Sequence, residues 1–380
     1  MSVSLKLSEL DTPSLLIDKA KLFENIDACQ RKAHALGVNW RPHVKTHKCA
    51  PIAAMQVRGM FGGVTVSTVK EAEYMFDEEG ITDMIYAVGI APHKLPRIAL
   101  LNRRGADVKV IVDNPVSAAA VSDFCRSQKC EIGVLLEVDC DGHRSGLKPD
   151  DPMLVTVAKA LTDGARFMGV LTHAGDSYAA RTPEELAACA KNEVVRINEA
   201  ARLLRDAGFE SRIVSVGSTP TFVAVEDAAG VTEYRSGVGV FYDLVMAGIG
   251  VCSVKDIALS VLVTVIGHQP QKGWILTDGG WMAMSRDRGT ASQPVDWGYG
   301  LVCDEAGKPI EGLWMKSANQ EHGIICRRDG APIDPADYPI GTRLRILPNH
   351  ACPTAAAFDK YFVVDESNNV QTIWPRINNW

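Results

Sequence analysis

From about residue 20 to residue 235, short β-branched runs alternate with longer stretches whose apolar positions recur every three or four residues. Leu22, Ile26, Cys29, Ala33 and Leu36 fall at spacings of four and three, one apolar stripe along a helix. Leu186, Ala190, Val194, Ile197, Ala201 and Leu204 form a second such stripe. Between the helices, the runs at 38–43, 63–66, 84–88, 108–112, 132–138, 167–172, 213–216 and 231–235 read as eight strands. Thr68 with Glu71, and Thr182 with Pro183 and Glu185, predict capping boxes at two helix starts. Eight strands, each followed by a helix, predict a (β/α)8 barrel, an α/β architecture, over residues 10–255. No GxGxxG follows any of these strands, which argues against a dinucleotide fold.

Near residue 256 the period changes. Ile257, Leu259, Val261, Val263 and Val265 alternate strictly, as in a half-buried strand. Short runs at 274–277, 312–315, 323–326, 342–347, 361–364 and 370–374 follow, with no helical stretch between them. The last third, 256–380, is therefore predicted to be an antiparallel β domain.

Composition narrows the function classes. Apolar residues at 46% and charged residues at 23% are globular values and exclude disordered and coiled-coil chains. Forty basic against forty-six acidic side chains give −6 without a long block of one sign, which points away from nucleic acid and anionic membrane surfaces. The first ten residues lack the apolar core of a signal peptide. The most apolar long stretch, 237–254, carries Asp243 and several glycines and makes a poor membrane span. Ten scattered cysteines without a CxxC pair suit reduced thiols. The expectation is a cytoplasmic enzyme acting on a small molecule, with no nucleic acid and no membrane as partner.

In a barrel, reactive groups sit just past the strand C-termini. Past the first strand runs Arg41-Pro42-His43-Val44-Lys45-Thr46-His47-Lys48, where crowded positive charge would disfavour an ammonium and expose a nucleophilic lysine. Past the seventh, Gly217-Ser218-Thr219-Pro220-Thr221 offers N–H groups and hydroxyls as an anion cradle, and the backbone of Arg235-Ser236-Gly237-Val238 could reach the same phosphate. Asp141-Gly142-His143-Arg144-Ser145-Gly146 and Thr172-His173-Ala174-Gly175-Asp176-Ser177-Tyr178 add polar groups at the mouth. In the β domain, His350 and Cys352, two apart in an extended segment, would point the same way, and imidazole with thiolate suits zinc better than magnesium. Singly, each segment also reads as an ordinary turn or a buried pair; the combination is more informative.

Together with Asp11-Thr12-Pro13-Ser14-Leu15 and Asn349-His350-Ala351-Cys352-Pro353-Thr354, these segments resemble the D-serine dehydratase and D-threonine aldolase family over nearly the whole chain. The resemblance implies the alanine racemase fold, a barrel and a β domain that takes in the first few residues, working as a homodimer. It implies pyridoxal 5'-phosphate held by Lys45 as a Schiff base, with Gly217, Ser218, Thr219, Gly237 and Val238 on the phosphate. Arg144, His173, Tyr178 and Arg235 would lie around the ring, Arg235 at the pyridine nitrogen and Arg144 near the ring hydroxyl. His350 and Cys352 would bind a divalent metal, zinc first, with manganese or magnesium as alternatives. The activity implied is dehydration of a D-3-hydroxy amino acid, D-threo-3-hydroxyaspartate first and D-serine second, to a 2-oxo acid and ammonia, with Lys45 as catalytic base. The alternative is retro-aldol cleavage to glycine and an aldehyde. Aldolases of the family tend to carry aspartate where Cys352 stands, which favours the dehydratase.

Overall fold

A computed structural model describes residues 5–380. The chain forms two compact units, one of Ala28–Gly237 with Asn379–Trp380, the other joining the chain up to Asp27 to Val238–Asn378.

In the first unit all eight predicted strands are present: Asn39–Trp40, Val64–Val66, Asp83–Gly89, Asp107–Val112, Ile132–Val138, Ala165–Thr172, Ile213–Val216 and Glu233–Tyr234. They form one parallel sheet in which the last strand pairs with the first. Val44 N donates to the Thr65 carbonyl and Thr65 N to that of Pro42, each at 2.9 Å, so the continuation of the first strand meets the second. Strands covered on both faces need continuous apolar runs, and Val134, Leu135, Leu136 and Val138 are all buried.

The helices around them bury the stripes read from the sequence. Leu186, Ala190, Val194, Ile197, Ala201 and Leu204 are buried along Pro183–Asp206. Thr68 and Thr182 cap their helices by accepting from Glu71 N at 3.0 Å and Glu185 N at 3.2 Å. The two glutamates reach back one residue further than a capping box requires, to Ser67 N and Arg181 N.

In the second unit, ten strands form one sheet. Its centre is Leu259–Gln269, paired with Ser14–Asp18, Trp274–Thr277 and Arg343–Leu347. Leu5–Lys6, Ser14–Asp18 and Gly300–Cys303 are strands that the period-two reading passes over. Ser14–Asp18 also pairs in parallel with Lys360–Val364, which ties the N-terminal segment into this sheet. The units accordingly part at 27/28 and 237/238, where the sequence suggested 255/256. Two short helices, Trp281–Met284 and Ala351–Ala355, interrupt strands that were expected to run without helices. Among the described residues no helix is long and apolar enough to cross a membrane.

Candidate active site

The basic segment past the first barrel strand does not form the cluster of like charges its sequence suggests. Arg41 is 1% exposed and gripped by carboxylates: Nε meets Glu233 at 2.8 and 2.9 Å, and Nη1 and Nη2 meet Asp83 at 2.9 and 3.2 Å. Lys48 pairs with Glu71 at 3.2 Å. Their charges are compensated, so crowding by Arg41 and Lys48 is not what would set Lys45 apart. Lys45 is exposed just beyond the strand, and its N–H reaches His43 Nδ1 at 3.4 Å. Burial holds His43 well below its usual pKa, helped by the positive charges of Lys45 and Arg235.

Arg235, just past the eighth strand, is buried and donates from Nη1 to Ser215 Oγ at 2.6 Å and from Nη2 to the Thr172 carbonyl. Burial lowers its pKa to about 10 against the pull of Glu233, Glu193 and Glu137, which leaves a cation at neutral pH. His173, past the sixth strand, bonds through Nδ1 to the Gly217 carbonyl at 2.7 Å. Burial, then Arg144, press its pKa down to about 3, so it is neutral. The Tyr178 ring lies 6.2 Å from that of His173, tilted by 43°. Arg144 itself is exposed in the loop after the fifth strand, and the neighbouring His143 is paired with Asp176.

The loop past the seventh strand is built by tertiary hydrogen bonds. Gly217 sits at φ +146°, and a Cβ there would run into the Arg235 carbonyl. Its N–H donates to Glu193 Oε1 at 2.8 Å, and Ala174 N donates to the same oxygen at 3.2 Å. Ser218 N donates to Thr221 Oγ1 at 3.2 Å, and Ser218 Oγ meets Ser177 Oγ at 2.8 Å. Two of the N–H groups expected to meet a phosphate are thus already engaged, that of Gly217 by Glu193 and that of Ser218 by Thr221. Those of Thr219, Gly237 and Val238 find no acceptor among the described residues. A Cβ at Gly237 would lie 2.9 Å from Thr46 Oγ1 and 3.1 Å from the His43 carbonyl, so glycine lets the segment past the eighth strand lie against the loop that carries Lys45. Small residues, unengaged donors and an exposed lysine fit a phosphate-bearing aldehyde cofactor.

Glu193 was not singled out from the sequence. It is a fully buried acid on an otherwise apolar helix face, beside Ala190, Val194 and Ile197. An acid on a buried stripe is the signal that could have found it.

In the β unit the expected extended segment is a helix start. His350 is the N-cap, at φ −135° and ψ 115°, and Cys352 lies in the first turn of Ala351–Ala355. Asp243 Oδ2 accepts from Ala351 N at 2.9 Å, and Pro353 is tolerated this early in a helix. The two side chains still meet, in hydrogen-bond contact. His350 Nδ1 lies 2.7 Å from Asp287 Oδ2. Burial opposes a charge on His350, yet Cys352, Asp287 and Asp243 together raise its pKa to about 11. A soft thiol, an imidazole and surrounding carboxylates suit zinc. Among the described residues no three His, Cys, Asp or Glu side chains are grouped so as to hold a metal ion by themselves.

The chain matches two family models, "Alanine racemase, N-terminal domain" over residues 17–244 and "Putative serine dehydratase domain" over residues 258–364. It is 52% identical to D-threo-3-hydroxyaspartate dehydratase of Delftia sp. (strain HT23), over 98% of this chain and 99% of that one. The solved structure of that enzyme superposes with a TM-score of 0.96, covering 99% of this chain and 100% of the other. A cysteine-to-alanine mutant of D-threo-3-hydroxyaspartate dehydratase, solved in the metal-free form, is 50% identical with a TM-score of 0.96, covering 99% of this chain and 100% of that one. D-threonine aldolase of Arthrobacter sp is 30% identical, over 97% of this chain and 92% of the aldolase. The chain belongs to the alanine-racemase-fold family that includes the D-serine dehydratases and D-threonine aldolases.

Proposed function

We propose that this protein is a pyridoxal-phosphate- and zinc-dependent dehydratase that converts D-threo-3-hydroxyaspartate to oxaloacetate and ammonia, with D-serine as a second substrate. The carrying observation is 52% identity to the dehydratase along 98% of the chain, against 30% to the aldolase. The metal reading is supported by a cysteine mutant of that dehydratase solved in the metal-free form; a histidine two positions earlier has also been mutated there, the spacing of His350 and Cys352.

Lys45 is assigned two tasks, covalent anchor of the cofactor and general base for the α-proton. Pyridoxal phosphate supplies the electron sink that makes that proton acidic. Thr219, Gly237 and Val238 would offer N–H groups to its phosphate, while Gly217 and Ser218 shape the loop. Arg235, still a cation at neutral pH, would sit at the ring nitrogen and leave it unprotonated. Arg144, Tyr178 and the neutral His173 would flank the ring. A weaker sink needs help at the leaving group, and a zinc ion on His350 and Cys352 would supply it as a Lewis acid at the β-oxygen. On the family resemblance, the proposal extends to a homodimer in the cytoplasm.

The test is a panel of 3-hydroxy amino acids in all four configurations, assayed for 2-oxo acid and for aldehyde. D-threo-3-hydroxyaspartate should yield oxaloacetate and ammonia, with zinc restoring activity to chelator-treated enzyme better than manganese or magnesium. Glycine and glyoxylate as the main products would reassign the reaction to retro-aldol cleavage.

A further inference from the structure

We infer that Asp287 is the positioning residue of the metal site, fixing the His350 ring so that Nε2 is the nitrogen offered to the ion. The inference rests on the zinc reading above. A neutral imidazole carries its proton on one nitrogen only, and the partner of the other nitrogen decides which. Asp287 Oδ2 lies 2.7 Å from His350 Nδ1 and can only accept, so it holds the proton on Nδ1 and leaves the lone pair on Nε2.

Asp287 is held in turn. Its N–H donates to Ser285 Oγ at 3.0 Å, and its carbonyl accepts from Asn349 Nδ2 at 3.3 Å. Ser285 sits at φ +73° and ψ 158°, a conformation that side-chain-bearing residues rarely adopt and that is kept only where the surroundings impose it. The segment that carries His350 is stitched to the same loop at further points. Thr290 Oγ1 donates to Asn349 Oδ1 at 2.8 Å, and Thr354 Oγ1 donates to the Met284 carbonyl at 2.9 Å. Residues 284–290 and 349–354 therefore behave as one frame, with the Asp287–His350 bond at its centre and the Cys352 side chain against the imidazole.

The experiment compares the zinc dissociation constants of the full-length holoenzyme, Asp287→Ala, Asp287→Asn and His350→Ala, by competition with a chromophoric chelator. Loss of an outer partner of a ligating histidine weakens metal binding about 10–100-fold, and that is the expected effect of Asp287→Ala. The bound-cofactor absorbance should stay as in the wild type. Wild-type zinc affinity in Asp287→Ala, alongside loss in His350→Ala, overturns the inference. Wild-type affinity in His350→Ala overturns the metal reading itself. Should the alanine variant fail to fold, Asp287→Asn carries the test: its amide oxygen still accepts but lacks the charge, so affinity should fall about tenfold, the lower end of that range. Unchanged affinity there also overturns the inference.

Discussion

Two histidines in this molecule are driven in opposite directions. His173, in the barrel unit, is held near a pKa of about 3 by burial and Arg144, with Lys45 and Arg235 adding to the effect. His350, in the β unit, is raised to about 11 because Cys352, Asp287 and Asp243 outweigh its burial. The residue type is the same and burial disfavours the charged form of both; the neighbouring charges reinforce burial at His173 and overcome it at His350. Burial, reinforced by a cationic surrounding, keeps His173 a neutral hydrogen-bonder that pins the Gly217 carbonyl, and that surrounding suits an anionic, phosphate-bearing ligand. An anionic surrounding makes the place of His350 one where positive charge is welcome, and a divalent ion meets the same field. Each unit carries the electrostatic complement of the group proposed for it.

If the two sites are built independently, disabling one should leave the other intact. Lys45→Ala is the harshest case. Losing both anchor and base should lower turnover by about 10³-fold or more, while the zinc affinity of the β unit stays within about twofold of wild type. Borohydride treatment of the wild-type enzyme should fix the cofactor on Lys45, located by peptide mass mapping. Recovery of the label on Lys48, the lysine paired with Glu71, would break the assignment.

What the sequence showed of these sites follows from the range of the interactions involved. Helices and barrel strands announce themselves through local period, and the buried stripe of Pro183–Asp206 matches its sequence pattern position by position. Ser14–Asp18 and Gly300–Cys303 escape because nearly every residue in them is buried, so no alternation exists to be read. Asp287 lies 63 residues from His350, and no spacing rule connects them. Arg41 looked like part of a basic turn because its carboxylate partners, Glu233 and Asp83, stand 192 and 42 residues away. The His350–Cys352 pair was found by a rule for strands, although a helix start is what brings the side chains together.

Glu193 sharpens the comparison from within the barrel, since it holds the loop proposed for the phosphate through the Gly217 and Ala174 N–H groups. Glu193→Ala removes the acceptor of two N–H groups, Gly217 and Ala174, and should cost about 2–4 kcal/mol of stability. Glu193→Gln keeps an acceptor and removes a buried acid whose pKa burial already raises, so it should stay within about 1 kcal/mol of wild type. Urea unfolding midpoints measure both. An alanine variant as stable as the glutamine variant would mean that the loop does not depend on this carboxylate.

The smallest effect tests the contrast between the histidines directly. The folded-state pKa of His173, about 3, lies below the ordinary 6.5, so as pH falls the unfolded chain takes up the proton first. Its contribution is therefore complete above pH 6.5 and is lost progressively as pH drops from there toward 3. Between pH 7 and pH 5 the full linkage would approach 2 kcal/mol, and partial exposure of the ring brings the expected loss to roughly 1 kcal/mol. His173→Asn can still donate to the Gly217 carbonyl but has nothing to protonate, so its stability should fall less over the same interval by that amount. His43, shifted in the same direction mainly by burial, then Lys45 and Arg235, is present in both proteins, and His173 is only a lesser cause of its shift, so its contribution largely cancels. His350 has the opposite sign, since its raised pKa gives stability that is present below 6.5 and lost as pH rises, and it cancels as well. Equal losses in the wild type and His173→Asn between pH 7 and pH 5 would show that His173 takes up its proton in the folded barrel as readily as in the unfolded chain, and the opposition between the two sites would then rest on His350 alone.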